Sequence, residues 1–189
     1  MHAYMILAHN EFELLENLIK ALDDSRNDIF IHIDSKVRNF DFAYFKKIAQ
    51  DSSVFFTPRV SVKWGDFSMV RAEYVLLEAV FSTGKNYDYV HLISGVDIPL
   101  MAQTEMHCFF EENQGKEFLH FGGENPQPIE LDRVRYYHFA TGRRNYLNRF
   151  VTKAESFIGK AMRINRIKGL QVQRGSQWFS ITGDFAQYL

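Results

Sequence analysis

The sequence predicts an α/β fold, with one mainly parallel central sheet flanked by helices on both faces. Short apolar runs rich in β-branched and aromatic residues alternate with longer segments of helical periodicity. The runs are bounded by Gly, Pro, Asn, Asp and Ser. With 189 residues and 46% hydrophobic content, the chain can bury one core, and it contains neither low-complexity sequence nor an internal repeat.

Taken in order, Ala3–Ala8 reads as a first strand. Asn10 is placed to cap a helix over Glu11–Asp23, with Glu13 in capping-box position and Phe12, Leu15, Leu18, Ile19 and Leu22 at helical spacing. Asp28–Asp34 is a second strand, Phe42–Ala49 a short helix and Val54–Thr57 a third strand. Ser68–Ser82 is a longer helix with Val70, Tyr74, Leu77 and Phe81 on one face and Gly84 as its stop. Tyr89–Ile93 is a buried strand that ends abruptly at Ser94-Gly95, and Pro99 rules out an immediate helix. Thr104–Asn113 is helical and closed by Gly115; Glu117–Phe121 is a strand. Phe150–Arg166 is a basic amphipathic helix and Gln177–Thr182 a final strand. Asp184 is placed to cap a last helix over Phe185–Leu189, and Asn125-Pro126-Gln127-Pro128 is a loop marking a subdomain edge.

Composition excludes some classes. No run of 18 apolar residues exists, and the first residues, lacking a basic region, read as a strand rather than a signal peptide. The single Cys108 excludes an internal disulfide framework, fits a reducing compartment, and beside Phe109 and Phe110 reads as a buried structural thiol. A cytoplasmic location follows, with peripheral membrane contact left open. The net charge of -1 hides an asymmetry: residues 1–130 carry 11 Lys+Arg and 20 Asp+Glu, residues 131–174 carry 11 and 2. That basic block suits an anionic partner or a solvated face. Nucleic acid is not expected, since neither an aromatic RNA-binding motif nor a helix-turn-helix accompanies the charge.

Dinucleotide and P-loop fingerprints are absent, as is D-x-D, the usual diphosphate-metal motif of nucleotide-sugar transferases. The seven histidines do not pair at metal-ligand spacing, so no metal is expected. Three strand ends remain: His9-Asn10, Asp34-Ser35-Lys36, and Ser94-Gly95-Val96-Asp97. In a parallel sheet they share one rim, where α/β proteins bind ligands. Asp34 is placed to hydrogen-bond a base or ribose and Lys36 to meet a phosphate. Gly95 would let backbone approach a ligand, and Asp97 would accept from hydroxyls. Singly, Asp34 also reads as a turn residue and His9 as a satisfied strand-end histidine; together the three ends suggest a nucleotide crevice.

These residues resemble the core-2/I-branching N-acetylglucosaminyltransferases, relatives of the peptide O-xylosyltransferases. The resemblance rests on Ala3–Asn10, Ile31–Lys36, Val62-Lys63-Trp64-Gly65, Leu92–Leu100 and Gly175–Thr182, in family order over nearly the whole chain. It implies a GT-A-like single domain, 1–189, with a donor-binding part, 1–125, and a basic acceptor and diphosphate part, 126–189. It implies metal-independent, inverting transfer of a GlcNAc- or xylose-class sugar from a UDP-sugar to a glycan, lipid-linked glycan or hydroxyl acceptor, with no cofactor. By the same resemblance His9, Asp34, Lys36, Trp64, Gly65, Ser94, Gly95 and Asp97 face the donor. Glu130, Arg133, Arg135, Gln177 and Trp178 lie on the sugar and acceptor side. Both tryptophans also suit a core.

The family's catalytic carboxylate lies in an Asp-Glu pair beyond the G-S-Q-W block, past Leu189 here. The chain is therefore expected to be C-terminally incomplete and to lack the base, which leaves a nucleotide- or glycan-binding module without turnover as the alternative. Arg143, Arg144 and Arg149 join the basic side. The helix from Phe150 reads either as a core helix with a solvated face or as one that lies on an anionic membrane.

Overall fold

The computed structural model describes residues 1–122, 131, 134–137 and 146–189. The loop at 125–128 and Glu130, Arg133, Arg143 and Arg144 lie outside them. Six strands form one sheet: β1 (His2–Ala8), β2 (Asn27–Ile33), β3 (Ser53–Phe56), β4 (Tyr89–Ser94), β5 (Phe118–Phe121) and β6 (Gly175–Thr182). The helices are α1 (Phe12–Leu22), α2 (Phe42–Phe45), α3 (Ser68–Ser82), α4 (Gln103–Glu112), α5 (Tyr146–Ala161) and α6 (Gly183–Tyr188). The order across the sheet is β3-β2-β1-β4-β6-β5. β1, β2, β3 and β4 pair in parallel and β6 runs antiparallel to β4. The expected α/β class and mainly parallel sheet are therefore present, consistent with a GT-A-like glycosyltransferase domain.

Two compact units divide the chain. One comprises Met1–Val62, Phe67–Leu119 and Gln177–Leu189; the other comprises Lys63–Asp66 and His120–Ser176.

In the first unit, pleating sends alternate β1 residues to opposite faces. Tyr4, Ile6 and Ala8 pack with Leu15, Leu18, Ile19 and Leu22 of α1, and Ala3 and Met5 pack with Leu76, Leu77 and Val80 of α3. These side chains are at most 8% exposed, and each leucine, isoleucine, valine and methionine among them contributes about 1.5–3 kcal/mol of burial energy. With helices on both faces, β1 lies where the winding reverses: β2 and β3 extend one way and β4 the other. The crevice of such sheets opens at that point.

Several local expectations are corrected. α1 is capped by Glu11, whose backbone is left-handed (φ 49) and makes no side-chain cap bond, rather than by Asn10. The buried face of α3 is Ala72, Leu76, Leu77 and Val80; Val70 and Tyr74 point outward. The stripe beginning at Val70 satisfied the helical period but was rotated from the true one. α2 ends at Phe45, four residues short of the expected end. The cap of α6 is Thr182, whose hydroxyl accepts from Phe185 N at 3.2 Å, not Asp184. Cys108 is exposed rather than buried, because α4 turns His107 and Phe110 inward instead.

In the second unit, Gly159 of α5 packs on Tyr136, whose ring carbon would lie 2.6 Å from an added Cβ. Arg135 O accepts from Arg166 N at 3.2 Å, and the Arg166 guanidinium stands 4.5 Å above the Tyr137 ring. No described helix is long and apolar enough to cross a membrane.

Candidate functional site

The C-terminal ends of β1, β2 and β4 meet in the first unit. Asp34 N donates to Ala8 O at 3.1 Å and Gly95 N donates to Leu7 O at 2.9 Å, so main-chain bonds hold the three ends together. Two of the expected strand ends, Asp34-Ser35-Lys36 and Ser94–Asp97, thus flank the end of β1. His9 follows β1 directly and is exposed.

Beyond β2, Asp34 closes a tight turn. Its Oδ1 accepts from Lys36 N at 2.9 Å and its O from Val37 N at 3.0 Å. The Lys36 ammonium stands 3.2 Å from Oδ2 and also donates to Val62 O. The carboxylate is 8% exposed and the lysine side chain 60%, so the cation covers the anion from the solvent side. Arg59 fixes the turn from behind: Nε donates to Ile33 O at 3.1 Å, and the guanidinium also donates to Asp34 O at 2.6 Å and to Val37 O. His32 Nε2 accepts from Val60 N at 2.9 Å. Burial holds the His32 pKa below its ordinary value, against the nearby Asp34 charge, which favours protonation. The ring is therefore neutral, as an acceptor must be, and it serves the turn.

Beyond β4, Asp97 Oδ2 accepts from Ser94 N at 2.8 Å while Asp97 N donates to Ser94 O at 3.1 Å. The loop is a self-capped turn of the kind Asp favours. Gly95 is buried, and the close approach that it permits is to Ala8 and Leu15, not to open space. Under this loop, Tyr4, His91, Ile93, Asp97, Met106 and Ser180 line a cavity of about 120 Å³. Tyr4, His91 and Ser180 form one row across β1, β4 and β6. The Tyr4 and His91 rings stack 4.5 Å apart, and His91 Nδ1 lies 2.8 Å from Ser180 Oγ.

On the opposite face, Gln177 Nε2 donates to Glu73 Oε1 at 2.9 Å. Burial raises the Glu73 pKa above the ordinary carboxyl value, and the Gln177 bond works against that rise. Trp178, next in β6, is 38% exposed. Trp64 and Gly65 fall in the second unit, as does Arg135; Trp64 is 77% exposed and Gly65 has φ +71.

The first unit therefore unites Asp34, Lys36, Ser94, Gly95 and Asp97 on one rim. Reading the sequence missed Arg59 and Glu73. Arg59 carried no signal, since its three carbonyl partners are fixed by the turn. Glu73 carried one: with Leu76, Leu77 and Val80 it shares the buried side of α3, an unusual place for a carboxylate. Among the described residues no three His, Cys, Asp or Glu side chains gather as a metal-ligand set.

The family model described as Core-2/I-Branching enzyme matches residues 2–189. Xylosyltransferase 2 of Rattus norvegicus is 26% identical over 191 residues, covering 99% of this chain and 21% of that protein. A human beta-1,3-galactosyl-O-glycosyl-glycoprotein beta-1,6-N-acetylglucosaminyltransferase is 29% identical over 106 residues, 55% of this chain and 25% of that protein. A mouse protein of the same type, numbered 4, is 23% identical over 99% of this chain and 40% of its own length. The chain thus spans about a fifth of the length of the xylosyltransferase 2 sequence that it matches.

Proposed function

The chain belongs to the core-2/I-branching enzyme family, and from that premise we propose that it is the donor-binding region of a glycosyltransferase that moves a sugar from a UDP-sugar to a glycan or other hydroxyl acceptor, with inversion and without a metal. The observation that carries this reading is the joint rim at the sheet's reversal point, where Asp34 and Lys36 stand beside the Ser94–Asp97 turn.

On this reading, Asp34 accepts from the hydroxyls or ring N–H of uridine. Lys36 swings from Asp34 to the diphosphate, uncovering the carboxylate as it neutralises the phosphate charge. That exchange is open to it because its side chain is mostly exposed. Arg59 keeps the turn rigid while Lys36 moves, so the donor meets a formed site. The Ser94–Asp97 turn forms the floor, and Gln177 and Trp178 border the sugar. Transfer also needs a base for the acceptor hydroxyl and positive charge for the departing UDP. Both the charge and the base are left unassigned.

Calorimetric titration with UDP in EDTA tests the reading. Binding is expected, and Asp34→Ala should weaken it about tenfold or more, the loss of a charge-assisted hydrogen bond. Unchanged affinity would remove Asp34 from the donor site. UDP release from UDP-sugars in EDTA supports transfer. Binding with no release points instead to a nucleotide-binding module.

A further inference from the structure

Helix α5 presents its apolar side to solvent. Phe150, Phe157 and Ile158 are 69%, 73% and 54% exposed, and Met162, just past the helix end, is 68% exposed. Positions 150, 154, 157, 158 and 161 fall on one stripe of an α-helix. Among the residues whose burial is described, 150–161, the side turned inward is small and polar: Thr152, Glu155 and Ser156 are half-buried, and only Gly159 is fully buried, against Tyr136. A helix that packs a core does the reverse.

Charge indicates what the apolar stripe meets. Residues 146–168 contain six Lys+Arg and one acidic residue. Lys153 and Lys160, two turns apart, are exposed along one flank of the stripe, and Arg163, Arg166 and Lys168 follow the helix end. A polyanion alone would want the cations but not the phenylalanines. A second copy of the face would bring its own lysines against these. An anionic lipid surface satisfies both features, since acyl chains take the apolar stripe and headgroups take the cations. At sixteen residues the helix is about 24 Å long, too short to span a bilayer and suited to lying in its plane.

We propose that the exposed face of α5 is a peripheral docking surface for anionic bilayers, set by Phe150, Phe157 and Ile158 with Lys153 and Lys160 on its flank. It is independent of the reading given to the donor rim.

Co-sedimentation of the chain with phosphatidylglycerol-containing vesicles and with pure phosphatidylcholine vesicles, at low and high salt, tests it. The chain should sediment with the anionic vesicles at low salt, less at high salt, and little with the neutral ones. Phe157→Ser with Ile158→Ser, and separately Lys153→Glu with Lys160→Glu, should each cut partitioning about tenfold or more, with far-UV circular dichroism and the urea midpoint unchanged. A folded chain that stays in the supernatant at low salt overturns the proposal. So does sedimentation that neither pair reduces. Heparin binding without vesicle binding would make the patch a polyanion site. A dimer dissolved by the serine pair, again without vesicle binding, would make it a self-association face.

Discussion

Gly95 lies so close to Ala8 that a methyl group on its Cα would stand 2.7 Å from the Ala8 Cβ and 3.6 Å from Leu15 Cδ1. Gly65, the glycine after Trp64, has the opposite reason for its identity: φ is +71 and nothing lies within 4 Å of an added Cβ. Gly95→Ala should therefore destabilise by about 1–3 kcal/mol through overpacking. Gly65→Ala should cost about 1–2 kcal/mol through backbone strain. Urea unfolding separates them by direction of repair. Ala8→Gly in the Gly95→Ala background should restore part of the loss, and no such substitution can help Gly65→Ala. Absence of any recovery would show that Gly95 is not held by Ala8.

The sequence carried the fold further than it carried the site. Periodicity located every strand and helix of the first unit, because burial on a two- or 3.6-residue period is written locally. It misplaced details decided by partners distant in sequence. Asn10 had the right chemistry for a cap, yet the chain leaves β1 in a direction that puts Glu11 there. The Asp34 turn was legible, since its carboxylate binds backbone two residues away; Asp97, expected to accept from hydroxyls, instead accepts from Ser94 N three residues back. Arg59 and the Glu73–Gln177 pair were not, because their partners lie 22–26 and 104 positions distant.

Arg59 should matter more for stability than its partial exposure suggests. Its guanidinium serves three carbonyls around the end of β2, and truncation would strand them. Arg59→Ala should cost about 2–4 kcal/mol, given about 1.5–3 kcal/mol for a charged hydrogen bond to a partly buried group. Arg59→Lys should recover less than half of that, because an ammonium cannot reproduce the fork. The urea midpoint checks both. Full rescue by Lys would mean that charge alone holds the turn.

Gln177 stabilises the charged form of Glu73, and burial opposes it. Gln177→Ala removes the only one of those two influences that lowers the Glu73 pKa, so the pKa should rise further, read by carbon NMR of the labelled carboxyl. A pKa that falls or stays would show that the pair does not form in solution. Where the donor reading holds, the same substitution should also weaken UDP-sugar binding, while Glu73→Gln, which keeps an amide partner, should weaken it less.

Acid should unfold the protein earlier than its carboxylates require. His2, His91 and His107 cluster against β1 and β4. His2 Nδ1 lies 3.2 Å from His91 Nε2, the His2 and His107 rings are 4.1 Å apart, and His107 Nε2 lies 2.9 Å from Asn27 Oδ1. Burial lowers all three pKa values, His2 to about 3, and neighbouring histidines add to the effect at His2 and His91. Arg26 and the N-terminal amine push His2 and His107 the same way, against Asp88 at His2 and against Asp24 and Glu111 at His107. Above pH 6.5 these rings are neutral in both states and their contribution is complete. Below it the unfolded chain takes up protons that the native state refuses. Stability then falls by about 1.4 kcal/mol per pH unit for each fully shifted histidine. His32, also lowered by burial, adds to the slope, and Glu73, raised by burial, subtracts from it. Asp23 and Asp24, whose pKa values are lowered, enter only below about pH 4. Urea midpoints between pH 7 and 4.5, taken in a Glu73→Gln background, should therefore drop steadily. His2→Gln with His107→Gln should flatten the drop, leaving the shares of His91 and His32. An unchanged slope in that variant would place the acid sensitivity elsewhere in the chain.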